Sequence, residues 1–283
     1  MSRAPAAWQP RQPVFWVLAT GILVCAPLQV RDLMQQEPAG VVLTVSLLVA
    51  AAELVAFWIV ARVLGARVLG GRHPEPTSLR IAALAWGLTV VPVIAAFANT
   101  LHFRVLNGLG LHAFAAAIAA PVDEDLLRFI GVLGVLGLAA PRGLTVRGGL
   151  VLGFLVGAGF EVSENLAFLF SSTDLAGTLQ LALVRLGIGF GLHALWTGIA
   201  GASLAYVLGR RSAGLAPRWG VAVLGLLLPM LLHALWDAPS PSISPPVVYS
   251  ILGTVYLLTL AAFVGWAVAG RAQSTSASRL PSR

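Results

Sequence analysis

Two histidines and seven carboxylates fall in stretches of this chain apolar enough to cross a membrane. The string His-Ala-Leu-Trp occurs twice, beginning at His193 and at His233, and Asp237 follows the second histidine four residues on. Asp123, Glu124 and Asp125 are consecutive, and Arg128 stands four residues after Glu124. Glu161 and Glu164 share a later stretch with Asn165, and Glu53 stands alone in an earlier one. Seven of the chain's 11 acidic residues are placed in this way. A charge at the bilayer centre costs about 2.5–3.5 kcal/mol on insertion scales, so such groups must face one another or a wet cavity. Clustered carboxylates and histidines in a membrane therefore mark a functional site.

Each group has a chemistry of its own. Glu124 and Arg128 share a helical face, and the arginine can hold that carboxylate ionised in apolar surroundings. Glu161 and Glu164, three residues apart, disfavour ionising together, which suits one of them to take up a proton as a general base. The glycines of Gly157-Ala158-Gly159 let their helix pack closely at the bundle centre. Asp237 can orient the His233 imidazole or share in binding a metal. Arg185, eight residues before His193, is a second intramembrane cation expected to face the same cavity. Glu53 has no neighbour to pair with and is left without a role. His73, His102 and His112 fall in or near loops and read as ordinary polar residues.

Those groups need helices to position them. The 283 residues are 58% hydrophobic and 10% charged, with a mean hydropathy of +0.88. That composition belongs to a membrane protein, not a soluble one. The expected fold is all-α and polytopic, with about eight transmembrane helices around a central polar cavity. Apolar stretches near 20 residues or longer read at 14–30, 40–63, 80–98, 109–140, 149–170, 178–208, 219–237 and 247–269. The fourth is too long for one crossing and contains Pro121, where a short apolar helix is expected to end and a spanning helix to begin. The sixth is also long and is expected to tilt or extend beyond the bilayer. Residues 1–13 read as a cytoplasmic N-terminus, 14–270 as one membrane domain with a functional core at about 80–240, and 271–283 as a disordered cytoplasmic tail. Arg3 and Arg11 precede the first stretch with no cleavage site after it, so it reads as an uncleaved transmembrane helix.

All 18 basic residues are arginine. Fourteen fall in loops on one side of the expected bundle, and only Arg31 and Arg104 fall on the other, with Arg128 and Arg185 inside. The positive-inside rule then puts both termini in the cytoplasm and opens the polar cavity toward the extracytoplasmic side. The arginines form no run or stripe, so the net charge of +7 points to membrane topology and not to nucleic acid. The single Cys25 excludes an intramolecular disulfide and a cysteine-built zinc site.

The order of these motifs resembles the PrsW family of intramembrane proteases, relatives of the type II CAAX prenyl endopeptidases. Glu124-Asp125-Leu126-Leu127-Arg128 is similar to the family's Glu-Glu-x-x-Lys, with conservative changes at two positions. Gly157 to Asn165 resembles Gly-x-x-Phe-x-x-x-Glu-Asn, with Phe160, Glu164 and Asn165 in register. His193 to Gly201 is similar to the family's histidine followed by small residues, and His233 with Asp237 meets His-x-x-x-Asp. The resemblance implies proteolysis in or beside the membrane. It makes Glu124, Glu164, His193 and His233 the catalytic core, supported by Asp125, Arg128, Asn165 and Asp237. Glu161 stands where the family commonly has a small residue, so it and Arg185 are supporting residues of this chain.

Two schemes for hydrolysis remain open at this level. There is no His-Glu-x-x-His, which excludes a zincin-type helix. In one scheme His193, His233 and a carboxylate, taken as Glu164, bind a divalent ion such as zinc and Glu124 acts as base. In the other, Glu124 or Glu164 activates water directly, with the histidines and Asn165 stabilising the oxyanion. The expected substrate is a membrane-anchored protein such as an anti-sigma factor, met in the lipid bilayer. The competing functions are a proton-coupled transporter or channel, and an inactive membrane scaffold of the same fold.

Overall fold

The structure is a computed structural model that describes residues 6–66, 75–209, 216–238 and 243–276, without the side chains of 216–218 and 272–276. Every regular element among these residues is helical. The helices are α1 (Pro13–Met34), α2 (Gly40–Leu64), α3 (Thr77–Ala85), α4 (Val91–Gly108), α5 (Ala115–Ala120) and α6 (Leu126–Ala139). They continue with α7 (Val146–Phe170), α8 (Leu175–Ile188), α9 (Leu192–Gly209), α10 (Ala216–Asp237) and α11 (Pro245–Ser276). Arg3, Arg67, Arg72, His73, Arg210, Arg211, Arg279 and Arg283 lie outside the described residues, as do residues 239–242 of the proline- and serine-rich segment 239–246, which the sequence suggests is an external turn.

Seven helical stretches among the described residues are long and apolar enough to cross a membrane: Pro13–Met34, Gly40–Leu64, Thr77–Gly108, Val146–Phe170, Leu175–Gly209, Trp219–Asp237 and Pro245–Arg271. The eighth expected stretch, the fourth along the chain, is not among them. Its α5 has six residues and its α6 has 14, and four charged groups stand at and just after their junction. No new helix begins at Pro121. The chain passes from α5 to α6 through a π-turn at Pro121–Asp125. Pro121 has no N–H to give the helical ladder, and the wider turn absorbs that loss by shifting the hydrogen-bond register. A second π-turn, Trp86–Val90, joins α3 to α4 just before Pro92.

The sixth stretch neither simply tilts nor simply extends. It breaks at Gly189-Phe190-Gly191 into α8 and α9, with Gly191 at φ 83°. An L side chain rarely adopts that backbone conformation, so glycine is what permits the break.

The bundle is organised on α7, which is buried along nearly its whole length. Its start is fixed by Thr145, whose hydroxyl accepts from the Gly148 N–H at 2.9 Å. Gly149, Gly153 and Gly157 form a stripe at four-residue spacing against α9. A methyl group on any of them would collide with a backbone oxygen, of Gly201, Thr197 and His193 respectively. The two helices therefore pack backbone to backbone, as small residues allow in a membrane. Gly153→Val is expected to cost about 3 kcal/mol or more, the upper range for overpacking against unyielding backbone. Gly253→Val, whose Cβ would meet nothing within 4 Å, should leave thermal unfolding in detergent unchanged. Equal midpoints for the two variants would refute this account of the packing.

Candidate active site

The π-turn sets the first three carboxylates. It turns Asp123, Glu124 and Asp125 all into the protein, at 8%, 6% and 5% exposure. A regular α-helix would spread three consecutive residues around more than half its circumference. Asp123 leaves the group, and its Oδ2 pairs with Nδ1 of His102 on α4 at 2.7 Å. His102 therefore lies on a helix facing the turn, not in a loop. Glu124 and Asp125 point to the bundle centre, where α6 begins and places Arg128 beneath them.

Arg128 is 1% exposed and acts as the hub. Its Nη2 pairs with Oδ1 of Asp125, and its Nη1 contacts Nδ1 of His193. Its Nε donates to the Glu124 carbonyl oxygen at 3.3 Å, and its guanidinium lies 4.8 Å from the Phe160 ring centroid. The contact with Arg128 makes Nδ1 of His193 an acceptor. The neutral ring then carries its proton on Nε2, which lies 3.1 Å from Oε2 of Glu164.

Nδ1 of His233 lies 3.2 Å from Oδ2 of Asp125, and that buried oxygen has no other partner among the described contacts. The ring's Nδ1 faces that oxygen and also lies 3.3 Å from Nη2 of Arg128, and its Nε2 faces Oδ2 of Asp237 at 3.4 Å and Oε2 of Glu124 at 3.8 Å. A carboxylate holding the far nitrogen of a histidine is the usual support for a metal-binding imidazole. Trp196 stacks on His233 with ring centroids 4.8 Å apart, and Phe160 meets His193 edge-on at 5.0 Å. Packing thus fixes both rings, whose centroids are 5.1 Å apart.

Glu161 stands behind this centre and accepts from the N–H groups of Gly191 and Ala194, the latter at 3.4 Å. Those are free donors at the start of α9, where a carboxylate is favourable. Glu161 therefore fixes the helix end that carries His193. Glu164 is tied elsewhere: Arg185 pairs with the same Oε2 that faces His193. Asn165 accepts from Arg185 through Oδ1 and donates from Nδ2 to Oε1 of Glu53 at 2.6 Å. Both ends of the Asn165 amide are thus engaged.

All the residues expected to form the site are brought together, directly or through one neighbour. One difference concerns the donor set. Glu124, His193 and His233 each offer an atom within 4.8 Å of the others, and Glu124 takes the place expected for Glu164. The residues that the sequence reading missed are Glu53, found there but given no role, and Asn99, whose Nδ2 donates to Oε1 of Glu124 at 3.3 Å. Asn99 lies one residue beyond the expected end of the third span, whereas the helix continues to Gly108. Two cavities flank the centre. One of about 270 Å³ is lined by His193, Trp196, Arg185, Trp236 and Asp237. The other, of about 240 Å³, lies between α1, α4 and α7 and reaches Glu124 and Glu164.

A divalent ion suits this donor set. Two imidazoles and a carboxylate make up a common catalytic zinc site, and Oε2 of Glu124 is buried with no hydrogen-bond partner. A buried carboxylate oxygen left unmatched is costly unless a proton or cation meets it.

Fold and site together define a polytopic helical membrane protein with a buried histidine–carboxylate centre. The family model for PrsW family intramembrane metalloproteases matches residues 75–267, more than half of the chain, and the protein belongs to that family. It is thus an intramembrane endopeptidase. No curated protein and no solved structure matches the chain.

Proposed function

We propose that the protein hydrolyses a peptide bond of a membrane-anchored protein, of the single-span anti-sigma-factor kind, at a divalent-metal centre held by Glu124, His193 and His233. The convergence of these three donors, one of them the orphaned Oε2 of Glu124, carries the reading. A zinc ion bound there would supply Lewis acidity toward the peptide carbonyl and ease the ionisation of water. The chain's own groups do the rest. Asp125 and Arg128 fix the His233 ring, and Glu161 fixes the helix end bearing His193. Glu164 stands beside the centre, and Arg185 and His193 engage its Oε2, which leaves Oε1 placed to accept the proton of the attacking water and return it to the leaving amine. Asn165 has both amide ends engaged and positions Arg185, in place of the oxyanion role considered from sequence.

Glu53 acts through Asn165. Glu53→Leu is expected to lower kcat about tenfold with KM unchanged, the usual scale for a residue that orients a site. Glu53→Gln, which still offers an oxygen to Asn165, should retain most activity. A loss equal in both variants would show that charge, not orientation, is what Glu53 supplies.

One observation favours a second reading without metal. The Arg128 contact puts the His193 proton on Nε2, where it serves Glu164, whereas a metal at that nitrogen needs the other tautomer. In that arrangement Glu124 activates water and His193 acts as a hydrogen-bond donor through Nε2.

The arginine asymmetry supports an orientation with both termini cytoplasmic and the site nearer the extracytoplasmic face. The direct test of function is co-expression with a single-span anti-sigma-factor-like membrane protein. Cleavage by the wild type, abolished in His233→Ala with insertion intact, is the expected result. Equal cleavage with the wild type, with His233→Ala and with neither would remove the proposal.

A further inference from the structure

Hydrolysis within a membrane poses a problem that the catalytic groups do not solve. A peptide bond inside a helix is inaccessible until the helix unwinds, and unwinding frees N–H and C=O groups that hydrocarbon cannot satisfy. The protein must supply partners for them next to the reacting bond. The cavity of about 240 Å³ between α1, α4 and α7 reaches both Glu124 and Glu164, and its wall includes Asn99, Ser163 and Gln29.

Asn99 is the telling member. Its Nδ2 is directed to the Glu124 carboxylate, which fixes the amide's orientation, since the reverse would set two oxygens together. Its Oδ1 is buried and has no hydrogen-bond partner. That oxygen is an acceptor suited to a backbone N–H brought beside Glu124. The α1 wall is loosely held. Only Leu18 and Cys25 of α1 are buried, both before Gln29, and Gln29 meets α7 through one hydrogen bond to Ser163 Oγ at 2.7 Å.

We infer that this cavity holds the unwound backbone of the substrate, entered from the lipid past α1, with Asn99 Oδ1 accepting an N–H adjacent to the scissile bond. α1, with Gln29, lies before residue 75, where the family match begins, so this wall of the cavity comes from outside the matched region. The inference rests on the protease reading.

The test uses a quenched-fluorescent single-span peptide with a Gly-Ser centre, in liposomes with the full-length protein. Ala96, on α4, lines this cavity and takes no part in the chemistry, and Leu252 lines the other one. Ala96→Trp is expected to lose about tenfold or more in kcat/KM, and Leu252→Trp to stay within about twofold of the wild type. The reverse pattern, equal losses or no loss would each overturn the inference. A photo-crosslinking benzoylphenylalanine at position 96, in the Glu124→Gln background, should capture the peptide, and one at position 252 should not. Capture needs no turnover, so it decides the matter even if Ala96→Trp fails to fold. Wild-type protein that cleaves no such peptide counts against the protease reading. Wild-type cleavage without capture at 96 counts against this site alone.

Discussion

Glu124→Gln should reduce cleavage by about a thousandfold or more, the scale expected when a group at the reacting centre is lost. It should do so without unfolding the protein. Glutamine fills the same volume and can still accept from Asn99 through one oxygen. What it removes is the charge on the oxygen facing His233, which has no hydrogen-bond partner. A neutral amide is easier to bury than an unmatched carboxylate, so thermal unfolding should stay level or shift slightly upward. Activity lost together with stability would point to packing. Activity retained would remove Glu124 from the centre.

Arg128→Ala should act by the opposite route and prevent the site from forming. Arg128 is the one cation that reaches Asp125, His193 and His233 together among the described residues. Removing it leaves Asp125 as a buried carboxylate without its counter-charge. Breaking one side of a buried pair costs about 3–5 kcal/mol, a large fraction of a domain's stability. Arg128→Lys should recover part of this, because one ammonium can meet Asp125 but cannot fork toward both rings. The double variant Arg128→Ala/Asp125→Ala should unfold at a higher temperature than Arg128→Ala alone, since no unpaired charge remains. A double variant as unstable as the single one would show that Arg128 acts through packing on Phe160 instead.

The sequence and the structure agree most where a residue's role depends on near neighbours. His233 and Asp237 are four apart and share the helical face that this spacing requires, whereas Arg128, expected to pair with the Glu124 carboxylate, meets Glu124 only at its carbonyl oxygen and pairs with Asp125, because the π-turn shifts the register. The glycines before Glu161 announced a close helix approach, and Gly157 meets the α9 backbone while Gly159 meets that of α3 and the π-turn after it. Disagreement begins where the backbone departs from regular periodicity. Pro121 suits the first turn of a helix, which is how the sequence is read, and only the continuity of α5 and α6 through residues 121–125 selects the π-turn. The break at Gly189–Gly191 depends on Glu161 to satisfy the exposed N–H groups, a contact 30 residues distant. Glu53 was visible as an anomaly, but its partner Asn165 is 112 residues away on another helix, and spacing carries no trace of it. The placing of Glu124 rather than Glu164 among the three clustered donors has the same origin. Both carboxylates face the centre, and Arg185, reaching in from α8, claims one of them.

The measurement that bears most directly on the central claim is metal dependence in purified protein. Stripped of metal by a chelator in detergent, the protein should lose cleavage of the quenched single-span peptide. One equivalent of zinc should restore it in the wild type and not in His193→Ala or His233→Ala. Full activity in the stripped protein would contradict the metal centre and leave the glutamate scheme in its place.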